Sequence, residues 1–240
     1  MTNATLTQTQ TTRPRRSRPQ RISRRTRAAV QAEKSRRALN VVVALIGIVL
    51  TAPFMAVIAV LVRLTSPGPI LFSQTRVGLD RRRGAAPPPG TRRHEDAGGR
   101  PFIIFKFRTM YVHKAAEVWA TENDPRITPL GRVLRKYRLD ELPQLFNVLG
   151  GDMNIVGPRP EQPKIFAKLR DQIDQYPRRQ LVRPGITGWA QINQRYDRNI
   201  SDVRRKVELD LEYVERQSFV EDLSIMARTI PVMLFQRGAL

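Results

Sequence analysis

The sequence predicts an α+β fold, mostly helical, with a membrane re-entrant helix hairpin joined to a small cytoplasmic domain that contains a short β-hairpin. Three observations carry this expectation. Residues 38–62, ALNVVVALIGIVLTAPFMAVIAVLV, hold no charged side chain. Two short runs rich in β-branched and aromatic residues follow, PILFSQTRVGL at 69–79 and PFIIFKF at 101–107. Helical periodicity runs through most of the remainder.

The composition sets the outer limits. The chain has 240 residues, 41% of them apolar, and a net charge of +21. That length buries a real core, and the apolar share is ordinary for a folded protein. Cysteine is absent, which excludes disulfides, zinc–thiolate sites and cysteine nucleophiles. His94 and His113 are the two histidines. A multi-histidine metal site or a Ser-His-Asp triad is therefore not expected. The positive charge points to anionic partners.

The elements follow in order. Residues 1–37 turn from polar to basic and carry eleven Arg or Lys against one acid, Glu33. They are expected to form a disordered, solvated arm; the sharper alternative is an arm attracted to anionic membrane lipid, at about 1 kcal/mol per basic residue near the surface, and nucleic-acid binding is a third. As a helix, the apolar run 38–62 is about 38 Å long, enough for a bilayer core of about 30 Å. Pro53 sits just past its middle and frees the carbonyl of Val49, with Thr51 nearby as a repairing hydroxyl. A kinked span and a hairpin that re-enters one leaflet both remain open. Arg36 and Arg37 precede the run, and Arg63, Arg76 and Arg81–Arg83 follow it. Positive charge on both flanks favours the hairpin, with both ends cytoplasmic.

Residues 69–79 and 101–107 read as the two strands of a hairpin. The stretch 80–100 between them is dense in Pro, Gly and Arg and reads as a flexible inserted loop. Beyond it, 128–138 places Leu130, Val133, Leu134 and Tyr137 on one side of a helix. Segment 141–149 reads as a short helix, with Asp140 and then Pro143 as its start signal. Segments 161–175 and 199–217 are helical, the latter with a Val203, Val207, Leu211 and Val214 stripe. The last helix, 219–236, is expected to break at Pro231. The runs GPRP (157–160) and RPGITGWAQ (183–191) supply rigid, specially angled backbone.

The candidate chemistry centres on residues 135–160. Asp140 and Glu141 are adjacent at the expected helix start, where the dipole favours carboxylates by roughly 0.3–1 kcal/mol each. Arg135, Lys136 and Arg138 lie just upstream. An ionised Asp140 is suited to attack phosphorus or to hold magnesium. An ordinary helix cap explains the same residue. Lys106, Arg108, Arg126, Arg159, Arg183 and Arg195 surround the acids in sequence, several in Gly/Pro-fixed runs. Arginine forks match phosphate geometry, so these residues suit a phosphorylated substrate. Nucleic acid is not the expected partner, since it explains neither the paired acids nor the apolar run.

The strings SPGPILFSQTRVG (66–78), FKFRTM (105–110), LDELPQLFNVLGGDM (139–153), VGPRP (156–160) and RPGITGWAQ (183–191) resemble those of the bacterial sugar transferases. These are the polyprenyl-phosphate phosphoglycosyl transferases with a small monotopic catalytic domain. The resemblance spans about 38–237, with five motifs in order. It implies transfer of a sugar 1-phosphate from a UDP-sugar to undecaprenyl phosphate at the bacterial cytoplasmic membrane. That reaction opens capsule, exopolysaccharide or glycoprotein glycan assembly. Mg2+ is the implied cofactor, with Asp140 as nucleophile and metal ligand and Glu141 as its helper. Lys106, Arg108, Arg159, Arg183 and Arg195 are the expected substrate-binding residues. The family's Ser-Pro hairpin break corresponds to Ala52-Pro53, and the 80–100 loop is an addition. The chain resembles the short form, without the multi-span N-terminal region of longer relatives. The domain limits expected are 1–37, 38–62 and 63–240. The sequence names neither the sugar nor the oligomeric state, and leaves a homo-oligomer open.

Overall fold

The computed structural model describes residues 24–80, 98–112, 124–194 and 199–234. The described chain is mostly helical, with two small two-stranded sheets. Its first helix, α1 (Arg24–Thr65), is 42 residues long. It starts well upstream of residue 38, so the expected arm is helical over 24–37, and 1–23 lies outside the described residues. The stretch 24–37 contains neither Gly nor Pro and includes Ala28, Ala29, Ala32, Glu33 and Lys34, which favour helix.

Two further helices and a strand hold this start in place: α3 (Gln144–Gly150), α7 (Phe219–Leu234) and β3 (Asn154–Val156). Arg37 donates to the carbonyls of Val148 and Leu149 at 2.6 and 2.7 Å, satisfying the open end of α3. Arg36 pairs with Asp222 of α7 at 2.9 Å and donates to the Tyr213 hydroxyl. The Asn40 side chain accepts from the backbone N–H of Ile155 in β3. At the far end of α1, Arg108 donates to the carbonyls of Val62, Ser66 and Pro67. Both ends of the apolar segment are thus fastened to the same folded body.

Between these anchors α1 has two faces. Ala44, Met55, Ile58 and Val62 are buried against the body. Val49, Leu50, Phe54, Val57 and Leu64 are exposed. The helix continues through Pro53, where the sequence suggested a break. Thr51 donates to the carbonyl of Gly47 at 2.7 Å rather than to that of Val49. Such back-bonding tends to bend a helix.

The expected hairpin forms from β1 (Leu71–Val77) and β2 (Pro101–Phe107), antiparallel, with Leu71 opposite Phe107 and Val77 opposite Pro101. Pairing extends to Gly78 and Arg100. Glycine is required at 99, because a Cβ there would lie 2.1 Å from the Gly78 carbonyl oxygen. Most of the expected loop, 81–97, lies outside the described residues.

Helix α2 (Pro129–Lys136) starts as its sequence directs. Thr128 caps the N–H of Gly131 at 2.8 Å, and Pro129 occupies the first turn. Leu134 is buried and Leu130 packs beside it, whereas Val133 and Tyr137 are exposed. A left-handed residue, Arg138 (φ 56°), then turns the chain into a 3-10 turn at Leu139–Glu141. Asp140 is therefore inside that turn and does not cap α3, which Pro143 precedes. No pattern in the sequence announces β3 or its parallel partner β4 (Gly185–Thr187), paired through Asn154–Gly185 and Val156–Thr187. Three-residue strands are too short to show alternation.

Helix α4 (Pro163–Arg170) is shorter than expected and is followed by a 3-10 stretch, Tyr176–Leu181. The short α5 (Trp189–Asn193) leads to α6 (Ile200–Arg216), capped by Asn199. Val203 and Val207 of the expected stripe are buried, and Leu211 packs on the same cluster. Val214 packs instead on the central core around Phe102, Ile104, Met153 and Tyr213. Helix α7 continues through Pro231 to Leu234, where the sequence had suggested a break.

Candidate active site

The site is built on the 3-10 turn at Leu139–Glu141. Leu139 and Leu142 pack against the apolar cluster of Met55, Ile58, Val62, Phe107 and Leu134. The residues on either side of the two acids are therefore anchored to the C-terminal half of α1. Asp140 and Glu141 are 8% and 6% exposed.

Two cations converge on Glu141 from distant parts of the chain. Lys106 of β2 reaches its Oε1 at 2.7 Å. Arg159, between two prolines in the GPRP run, forms a fork on it, with Nη2–Oε1 at 2.5 Å and Nη1–Oε2 at 3.3 Å. Proline on both sides fixes the backbone around Arg159. Among the described residues no hydrogen bond reaches the Asp140 carboxylate.

This asymmetry separates two neighbouring acids. Burial alone would raise the Glu141 carboxyl, but Arg159 and Lys106 overcome it and hold the group well below the carboxylate range. Burial, and then the Glu141 charge beside it, push Asp140 up to about 6, against the opposing pull of Lys106, Arg135 and Arg159. Burial also lowers the Lys106 ammonium, which Glu141 partly restores. The pair thus contains one charge locked in ion pairs and one carboxylate that is basic, unbonded and still largely ionised at neutral pH.

The remaining expected residues separate. Arg108 is 6% exposed, and its Nη atoms bind the carbonyls that close α1, so it fastens the end of the long apolar helix rather than facing the acids. Arg183 pairs with Glu33 at 2.7 Å and donates to the Gly151 carbonyl, again at the start of α1. Arg126 is held by Asp124. Arg195 lies outside the described residues. The structure thus brings Lys106 and Arg159 together with Asp140 and Glu141, and it gives Arg108 and Arg183 anchoring roles.

Sequence reasoning missed Asn147. Its side chain donates to the Ile103 carbonyl at 2.7 Å and accepts from the Phe105 N–H at 3.1 Å, fixing the strand that carries Lys106. A polar residue inside the apolar string LFNVLG was the available signal.

The donor set can be tested against a divalent cation. Among the described residues there is no group of three or more Asp, Glu, His or Cys side chains able to form a protein cage. Mg2+ does not need one: it is commonly held by one or two carboxylates, water and substrate phosphate oxygens. The unbonded Asp140 carboxylate fits that demand. Glu141, with both oxygens engaged, is less suited.

Residues 31–236 match the family model described as bacterial sugar transferase. The UDP-N-acetylgalactosamine-undecaprenyl-phosphate N-acetylgalactosaminephosphotransferase of Aeromonas hydrophila is 40% identical over 206 residues, covering 85% of this chain and 44% of that protein. The UDP-glucose:undecaprenyl-phosphate glucose-1-phosphate transferase of Escherichia coli (strain K12) is 40% identical, covering 81% of this chain and 39% of that protein. The protein of the same description from Caulobacter vibrioides is 38% identical, covering 87% and 72%. The chain spans less than half the length of the first two. The match over nearly the whole described fold, including the turn that carries both acids, shows that this chain belongs to the bacterial sugar transferase family.

Proposed function

We propose that this protein is a phosphoglycosyl transferase that moves a sugar 1-phosphate from a UDP-sugar to undecaprenyl phosphate through a covalent aspartyl–phosphosugar intermediate. The observation that carries this reading is the Asp140–Glu141 pair beside the membrane segment. A basic, unbonded carboxylate sits next to a carboxylate neutralised by two cations, on a turn packed against the apolar α1.

In the first half-reaction an Asp140 oxygen attacks the β-phosphorus of the UDP-sugar. The Asp140 O–P bond forms, the bond to the bridging oxygen breaks, and UMP leaves with that electron pair. In the second, an oxygen of undecaprenyl phosphate attacks the same phosphorus, and the carboxylate is released. Two successive displacements let one site take two bulky anions in turn. Glu141, fixed by Lys106 and Arg159, holds the turn in place and sets the charge beside Asp140. Asp140 would hold Mg2+, which when bound neutralises the diphosphate and the leaving group.

We further propose that residues 38–62 re-enter one leaflet, with the folded body on the cytoplasmic face of the bacterial inner membrane. Support comes from both ends of α1 being fastened to that body by Arg36, Arg37 and Arg108. A crossing would separate those ends by a bilayer. The exposed apolar residues between them suit lipid. The chain is free of cysteine, so single cysteines at Lys34 and Thr65 test this directly. Both are expected to resist an impermeant thiol reagent in intact cells, and labelling of either would contradict the placement of both flanks on the cytoplasmic side.

Relatives named for N-acetylgalactosamine and for glucose are equally similar at 40%, so the sugar is a matter for experiment. UMP release from a panel of UDP-sugars, with membranes and Mg2+ present, tests the activity. No release from any of them, by folded protein, would overturn the reading.

A further inference from the structure

The loop that carries Arg159 is clamped residue by residue. The Gly157 N–H donates to the Thr187 carbonyl, and the Pro158 carbonyl accepts from Gly185, both in β4. The Pro160 carbonyl accepts from Arg76 of β1, and the Glu161 carbonyl from the Val77 N–H. The carbonyl of Arg159 itself accepts from Nη2 of Arg179 at 3.1 Å.

Arg179 is itself fixed on every side. It is 1% exposed, and its Nε donates to Asp210 Oδ2 at 2.7 Å. Its Nη1 donates to the Tyr176 hydroxyl at 2.9 Å. A fully buried ion pair of this kind is a poor source of stability, because desolvation offsets its Coulomb gain and apolar replacements are often neutral or better. Its guanidinium spans three partners in three directions, which a lysine ammonium on a flexible stem does not reproduce.

We infer that Arg179, held by Asp210 and Tyr176, is a positioning residue that fixes the backbone of Arg159 and so sets the Arg159 fork on Glu141. The inference rests on the catalytic reading of the Asp140–Glu141 pair. Arg179 touches neither acid; it acts through the loop. With Arg179 shortened, the Arg159 carbonyl loses its donor and the loop gains freedom. A fork of this type does not tolerate a shift on the order of 1 Å without loss of rate.

The test uses the full chain in membranes, with Arg179→Lys and Asp210→Asn assayed for UMP release from the UDP-sugar that wild type accepts. Turnover is normalised to folded protein, and Arg159→Lys supplies the second background. Each variant is expected to lower kcat by about tenfold while KM for the UDP-sugar stays within about twofold. In the Arg159→Lys background the same changes are expected to cost less than about twofold, because the residue they position is already altered. A loss of folded protein alone would leave kcat per folded molecule unchanged, and that result overturns the inference. So does a rise in KM at constant kcat, or an equal loss in both backgrounds. If Arg179→Lys does not fold, the isosteric Asp210→Asn decides by the same criteria. Absence of turnover in folded wild type, by contrast, overturns the catalytic reading itself.

Discussion

Asp140→Asn separates a catalytic carboxylate from a structural one by the sign of its effect on stability. Burial and the adjacent Glu141 charge raise the Asp140 carboxyl from 3.8 to about 6. At about 1.4 kcal/mol per tenfold, that corresponds to roughly 3 kcal/mol of stability forfeited when the group ionises in the folded state. The folded protein holds this proton more tightly than the unfolded chain, so the group's contribution to stability falls as pH rises from about 4 to 6. The amide is close in shape to the protonated acid and never ionises. The variant is therefore expected to match wild type near pH 4 and to exceed it by about 2–3 kcal/mol above pH 7. Urea midpoints measured across pH 4–8 without added metal give the curve. Turnover should disappear at every pH, since an amide is a poor nucleophile. A variant less stable than wild type at pH 8, or a gap that does not change with pH, would refute the electrostatic reasoning.

Glu141→Gln should have the opposite sign. A carboxyl held below its ordinary value contributes stability above about pH 4.5, and its loss leaves Lys106 and Arg159 facing a neutral amide. A loss of about 3 kcal/mol at pH 7 is expected in urea melts. Arg108→Met should destabilise by roughly 2–4 kcal/mol, because the carbonyls closing α1 lose their donor. UMP release per folded molecule should nevertheless stay within about threefold, which distinguishes an anchor from a substrate ligand. Asn147→Leu strands the Ile103 carbonyl and the Phe105 N–H, at about 2 kcal/mol by thermal or urea unfolding. For the wild type, kcat/KM should fall on acidification as the Asp140 carboxylate, raised by burial and by Glu141, takes up its proton, and the midpoint should move to lower pH as Mg2+ is increased, because cation and proton compete for that carboxylate.

What the sequence revealed depended on how local the cause was. The β1–β2 hairpin was legible because β-branched and aromatic residues sit in two bounded runs. Helix α6 was legible because Val203, Val207 and Leu211 recur at helical spacing. The early start of α1 was overlooked because apolar residues are sparse over 24–37, although its residues favour helix, and because the anchors of its end lie far away in sequence: Asp222 and Tyr213 for Arg36, and the end of α3 for Arg37. The acids were visible as an adjacent pair, yet their setting was misjudged. The left-handed Arg138 diverts the chain into a 3-10 turn, where a helix start had been expected. Of the basic residues expected around them, Lys106 and Arg159 lie on Glu141, whereas Arg108 and Arg183 bind backbone carbonyls at the ends of helices. An arginine in a Gly/Pro-fixed run looks the same whether it faces a substrate or the end of a helix; only the fold separates the two. Asn40, Asn147 and Arg179 work through buried contacts to backbone groups far away in sequence, which periodicity does not report.

The central claim is that Asp140 carries the phosphosugar between donor and acceptor. It is tested most directly by incubating the full chain with an accepted UDP-sugar, in detergent and without undecaprenyl phosphate, then quenching and digesting it for mass spectrometry. One phosphosugar increment on the peptide that contains Asp140, stoichiometric release of UMP, and loss of the adduct when undecaprenyl phosphate is added are the expected results. An adduct on another residue would contradict the claim, as would turnover by folded Asp140→Asn.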